Sequence, residues 1–129
     1  MEFLEKHRFM IVIFVFIVLV FAVSSKGEVN DIVNSGNETS VSKLVNDKNV
    51  VIIDVRGYDD YKMGHIPNAI NVSYNGIIDN IDYNKNTKIA VYCNNGSLSH
   101  VAAQQLHDAG YKNVYDMGSI KNYKGKLSK

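Results

Sequence analysis

The chain has 129 residues and a formal net charge of +1. That length leaves room for a single folded domain with one modest core. A composition of 46% hydrophobic and 21% charged residues argues against a disordered chain, and the near-neutral balance without a clustered basic face argues against a nucleic-acid binder.

At the N-terminus, Lys6, His7 and Arg8 precede an uninterrupted apolar run from Phe9 to Val23. A positive flank, an apolar run and the small residues Ala22-Val23-Ser24 read as a signal peptide with a cleavage site. Lengthened by Ser24 and Ser25, the same run reaches roughly 17 residues, the lower limit for a membrane span. Residues 1–25 are therefore a signal peptide or an N-terminal membrane anchor, an N-terminal hydrophobic helix in either case. Lys6 and Arg8 keep the N-terminus in the cytoplasm, which places the rest of the chain outside it, in the cell envelope, exported or membrane-anchored. Residues 26–39, rich in Asn, Ser and Gly, read as a linker, and residues 40–129 as the domain.

Within the domain, Val41, Leu44 and Val45 lie at helical spacing with Ser40 as N-cap. Val50 to Val55 is a continuous apolar run ending beyond Asp54, the pattern of a strand buried on both faces. "YDDYKMG" predicts one short helical turn closed by Gly64, and Ala69 to Val72 a second short strand. "NGIIDNIDYNKNT" follows as a short helix and a loop. "KIAVYC" is a third buried strand. Leu98, Val101, Ala102, Leu106 and Ala109 share one face of a helix capped by Gly110. "NVYDM" predicts a fourth strand and "SIKNYKGKL" a last helix. Strands alternating with helices predict an α/β fold, a small and mainly parallel sheet flanked by helices.

Cys93 is the only cysteine. An internal disulfide is excluded, and one Cys with the dispersed His7, His65, His100 and His107 does not make a zinc site. In this fold class ligands bind at the carboxyl ends of the strands, where Cys93 falls. The loop after it, Asn94-Asn95-Gly96-Ser97-Leu98, leads into a helix beginning around Ser97 to Ser99. It points backbone N–H groups at the thiol, an arrangement that cradles anions and stabilises a thiolate. Gly96 permits a backbone conformation that other residues resist. The plainer reading of Cys93 is a small buried hydrophobe at a strand end.

Several motifs in order resemble the single-domain rhodaneses, or rhodanese-like sulfurtransferases, over roughly Val41 to Lys124. Asp54-Val55-Arg56 is similar to the family's DVR. Gly64-His65-Ile66-Pro67-Asn68-Ala69-Ile70-Asn71 is similar to its GHIPGA-I-N element. Tyr92-Cys93 matches the strand end and nucleophile, and Asn113-Val114-Tyr115 with Gly118 the terminal strand and turn.

The resemblance implies a catalytic Cys93 that takes sulfur from thiosulfate or a persulfide or polysulfide donor and passes it to a thiophilic acceptor. The loop residues Asn94, Asn95, Gly96, Ser97, Leu98 and Ser99 would bind the substrate. Asp54, Arg56, Asp60 and His65 would be structural, with Arg56 and Asp60 forming an internal ion pair. No metal or organic cofactor is implied. The partners are a small anionic sulfur donor and a thiol or cyanide acceptor, with no nucleic acid, and with the membrane through the N-terminal segment if it is uncleaved.

The six-residue span from Cys93 to Leu98 is the sulfurtransferase length; related phosphatases and arsenate reductases carry one residue more. One position departs from the pattern. Many members have Arg or Lys where this chain has Leu98, which disfavours thiosulfate relative to a less charged donor. It also keeps open the alternative of a catalytically silent rhodanese-like binding module at the membrane surface.

Overall fold

The computed structural model describes residues 31–129. Five strands, β1 (Val33–Asn34), β2 (Val50–Asp54), β3 (Ile70–Asn71), β4 (Lys88–Cys93) and β5 (Asn113–Ser119), form one sheet. They lie in the order β1-β5-β4-β2-β3, and every pairing is parallel. Three helices cross between them: α1 (Glu38–Asn46), α2 (Tyr58–Met63) and α3 (Ser97–Asp108).

The central strand β4 explains the layering. Successive side chains point to opposite faces, and both faces are covered, so five of the six residues of KIAVYC are buried. Ile89, Val91 and Cys93 pack with Ala102, Ala103 and Leu106 of α3 on one face. Ala90 and Tyr92 pack with Val41 and Leu44 of α1 on the other.

Several expected boundaries move. The segment 26–39 is not wholly a linker: β1 pairs with β5 at the sheet edge, and α1 begins at Glu38. Two residues are too few to show strand periodicity. Asn37, not Ser40, caps α1, its Oδ1 accepting from the Ser40 N–H at 2.9 Å. On α3 the buried residues are Ser99, Ala102, Ala103 and Leu106, while Val101 is 42% exposed and faces outward. The α3 cap is Ala109, with Gly110 following in the left-handed region at φ 97°. "SIKNYKGKL" forms only a 3-10 turn, Ile120–Asn122, because β5 runs on to Ser119 and takes its first residue. Asn68 adopts φ 68°, a conformation that Asn tolerates better than most L-residues, and it stands where the family motif has Gly.

The apolar run Phe9 to Val23 lies outside the described residues. Among the described residues no helix is long and apolar enough to cross a membrane.

Candidate functional site

Cys93 is the last residue of β4 and has no exposed surface. Its Sγ accepts two backbone hydrogen bonds, from Gly96 N–H at 3.0 Å and Ser99 N–H at 3.3 Å. The tight return of the chain depends on Gly96, which sits at φ 92° as the N-cap of α3. Ser99, fully buried, closes the turn by donating its hydroxyl to the Gly96 carbonyl at 3.1 Å. The positive end of α3 adds to this field, since its first N–H groups have no helical partner. The arrangement suits an anionic sulfur.

The remaining loop residues divide by where their side chains go. Asn95 and Ser97 are exposed, and the Asn95 Oδ1 accepts from the Ser97 N–H at 3.1 Å. Leu98 is half-buried and packs against the core beneath α3. Asn94 is exposed, but its carboxamide turns sideways, away from its own loop. Its Oδ1 accepts from an Arg56 guanidinium N–H at 3.3 Å, and its Nδ2 donates to Asp60 Oδ2 at 3.4 Å.

Below the loop lies a buried ion pair. Asp54, at the end of β2, has no exposed surface and Arg56 only 7%. The Arg56 guanidinium donates to Asp54 through Nε at 3.0 and 3.1 Å and through Nη2 at 2.7 Å. Its Nη2 also donates to the Gly64 carbonyl at 2.7 Å. Tyr92, the residue before Cys93, donates its hydroxyl to Asp54 Oδ2 at 2.7 Å and accepts from the Ile66 N–H at 3.0 Å. The Asp54 hydrogen bond raises the Arg56 guanidinium above its ordinary value despite the opposing effect of burial. Burial first, and then the Asp54 charge, push the Tyr92 phenol far above its ordinary value.

The implied Arg56–Asp60 ion pair is thus corrected. Asp54 is the carboxylate that shares the buried space with Arg56, and Asp60, exposed on α2, makes no direct hydrogen bond to the guanidinium, its link running through Asn94, although its charge adds to the raising of Arg56. His65 lies at the foot of α2. Its ring stacks on Tyr61 at 3.9 Å, with Nδ1 3.0 Å from the Tyr61 carbonyl, and its backbone bridges to Ser128.

Two contributors escaped sequence reasoning. The Tyr92 hydroxyl joins the buried pair, which an apolar strand pattern does not reveal. Ser119 donates its hydroxyl to the Asn94 carbonyl. It lies opposite Cys93 because the β4–β5 register shifts at Val91/Tyr92, leaving Met117 as an extra residue. No sequence signal marks that bulge beyond Gly118, which takes φ 69°.

The fold and site are those of a parallel α/β domain with a lone cysteine in an amide-lined loop at the carboxyl edge of its sheet. The chain belongs to the rhodanese-like domain family, whose model matches residues 37–126. It is 34% identical over 84 residues to a tRNA uridine(34) hydroxylase of Buchnera aphidicola, covering 60% of this chain and 27% of that protein. It is 32% identical over 89 residues to the adenylyltransferase and sulfurtransferase uba4 of Ogataea parapolymorpha, covering 67% and 23%. The chain therefore spans about a quarter of the length of these relatives. Among solved structures it is similar to a rhodanese with anions from E. coli, with 31% identity and a TM-score of 0.56 over 62% of this chain and 98% of that one.

Proposed function

We propose that the domain transfers sulfane sulfur through a persulfide on Cys93. The observation that carries this reading is the pair of N–H groups of Gly96 and Ser99 aimed at Sγ. Such donors stabilise negative charge on sulfur before and after loading. The Cys93 thiolate attacks the outer sulfur of the donor. With thiosulfate, the new S–S bond forms as the old one breaks, sulfite leaves with the electron pair, and Cys93 carries the persulfide. A thiophilic acceptor, cyanide or a thiolate, then attacks the outer sulfur and restores the thiolate. A relative named as a sulfurtransferase and a neighbour named as a rhodanese support the reading. The hydroxylase activity of the other relatives is not carried over, since most of their length has no counterpart here.

The donor is one of low charge. Leu98 packs into the core where a cation would face the donor, and Arg56 is taken up by Asp54. One missing charge-assisted contact corresponds to about 1.5–3 kcal/mol, or roughly one to two orders of magnitude in affinity. A persulfide or polysulfide terminus is then preferred over dianionic thiosulfate. That same absence of a loop cation favours the second reading, a silent binding module. We place the domain outside the cytoplasm on the evidence of Lys6, Arg8 and the apolar run alone.

Intact-mass measurement of the full chain tests the function. Treated with polysulfide, the protein gains one sulfur, loses it to cyanide, and Cys93→Ser gains none. Absence of loading by polysulfide and by thiosulfate alike would remove the enzyme reading and leave the binding module.

A further inference from the structure

We propose that Asn94 is a positioning residue that latches the loop closed over Cys93. Its action on sulfur transfer rests on the reading above, but the latch itself does not.

Cys93 has no exposed surface, although the residues that follow it, Asn94 and Asn95, are exposed. A donor or acceptor meets the thiol only when the loop moves. Besides the Gly96 and Ser99 N–H bonds to Sγ, three bonds that oppose that movement converge on Asn94. Its Oδ1 accepts from Arg56 at 3.3 Å, its Nδ2 donates to Asp60 at 3.4 Å, and its carbonyl accepts from the Ser119 hydroxyl. These partners belong to three separate segments: the turn after β2, helix α2 and the end of β5. Arg56 cannot follow the loop outward, because Asp54 and the Gly64 carbonyl hold its other donors in the buried layer. The anchor on that side is rigid, and the moving part is the loop.

A side chain oriented this way is not directed at an incoming anion. Asn94 therefore differs in role from the Gly96 and Ser99 N–H groups, which point at Sγ. Asp60 hydrogen-bonds to the loop through the carboxamide of Asn94, while its charge also acts on Arg56, which stays with the buried layer. The latch keeps the reactive sulfur enclosed between donor and acceptor encounters, and local opening sets how often small reagents reach it.

Alkylation of the full chain by iodoacetamide, an uncharged reagent, reads the opening directly and needs no sulfur donor. Denaturation midpoints are measured alongside, so that all rates are taken well below unfolding. Loss of hydrogen bonds of ordinary strength makes Asn94→Ala react about fivefold faster than the wild type, and Asp60→Ala about twofold faster. In the Asn94→Ala background, Asp60→Ala adds nothing, because its contact is already gone. Ser119→Ala, which acts on the carbonyl instead, still adds its own increase there. An alkylation rate unchanged by Asn94→Ala, or an Asp60→Ala effect that persists without Asn94, overturns the proposal. Failure of the wild type to take up sulfur would instead remove the proposed function and leave these rates unaffected.

Discussion

Two layers meet at Cys93 and are built by different means. The loop from Asn94 to Ser99 faces the thiol with backbone N–H groups, while the layer below it centres on the side chains of Asp54, Arg56 and Tyr92, with the Arg56 and Ile66 N–H groups and the Gly64 carbonyl as backbone partners. A backbone-built site tolerates changes in side-chain identity, provided that the chain still turns where Gly96 turns it. A side-chain network fails with the loss of any one member, because the low dielectric leaves the others unpaired. Reactivity and stability are thus separable here, and substitutions in the two layers should differ in kind.

The largest effect is expected in the lower layer. Asp54→Ala strands Arg56 as a buried unpaired charge and lowers stability by about 3–5 kcal/mol, measured by urea denaturation. A cost under about 1 kcal/mol would mean that the guanidinium finds water or another partner.

Tyr92→Phe leaves the Ile66 N–H without its acceptor and removes a donor to Asp54, at a cost of about 1–3 kcal/mol. It also changes the pH profile. The folded protein holds the Tyr92 phenol protonated above its ordinary value of 10.0, so unfolding above that pH releases a proton. The stabilisation is complete below pH 10 and falls as pH rises beyond it. Stability curves of the wild type and Tyr92→Phe should therefore converge above pH 10, and parallel curves would contradict the assignment.

In the upper layer, Gly96→Ala tests conformation rather than space. An added Cβ meets only the Gly118 Cα at 3.8 Å, an ordinary contact, but φ 92° is strained for alanine. The expected cost is about 1–2 kcal/mol of stability, with a larger relative loss of sulfur loading on Cys93. Equal loading would show that the turn is not what aims the N–H groups. The smallest effect belongs to the outer face of α3: Val101→Ser, at a position 42% exposed, should stay within about 0.5 kcal/mol in thermal denaturation.

Much of this architecture was legible because burial writes itself into sequence. KIAVYC is buried on both faces and reads as an unbroken apolar run, so β4 and the position of Cys93 at its end follow directly. The short helix before Gly64 was legible for a related reason, since its punctuation is local. What depends on pairing partners was not. β1 has two residues and exists through β5 alone, and the length of β5 depends on a bulge against β4. Val101 fits the helical period but falls outside the stripe that the sheet covers. The choice of Arg56 for Asp54 over Asp60 was illegible as well, because it is decided by which carboxylate lies in the buried layer and by the intervening Asn94. Sequence spacing carries neither fact.

In the proposed function, the sulfur carried on Cys93 is held by the backbone of its loop. The most direct test follows the amide resonances of isotope-labelled protein before and after loading with polysulfide, with intact mass confirming one added sulfur. The Gly96 and Ser99 amide protons should shift most on loading and return when cyanide removes the sulfur, while amides on the outer face of α3 stay in place. A confirmed sulfur on Cys93 with the Gly96 and Ser99 amides unmoved would contradict it.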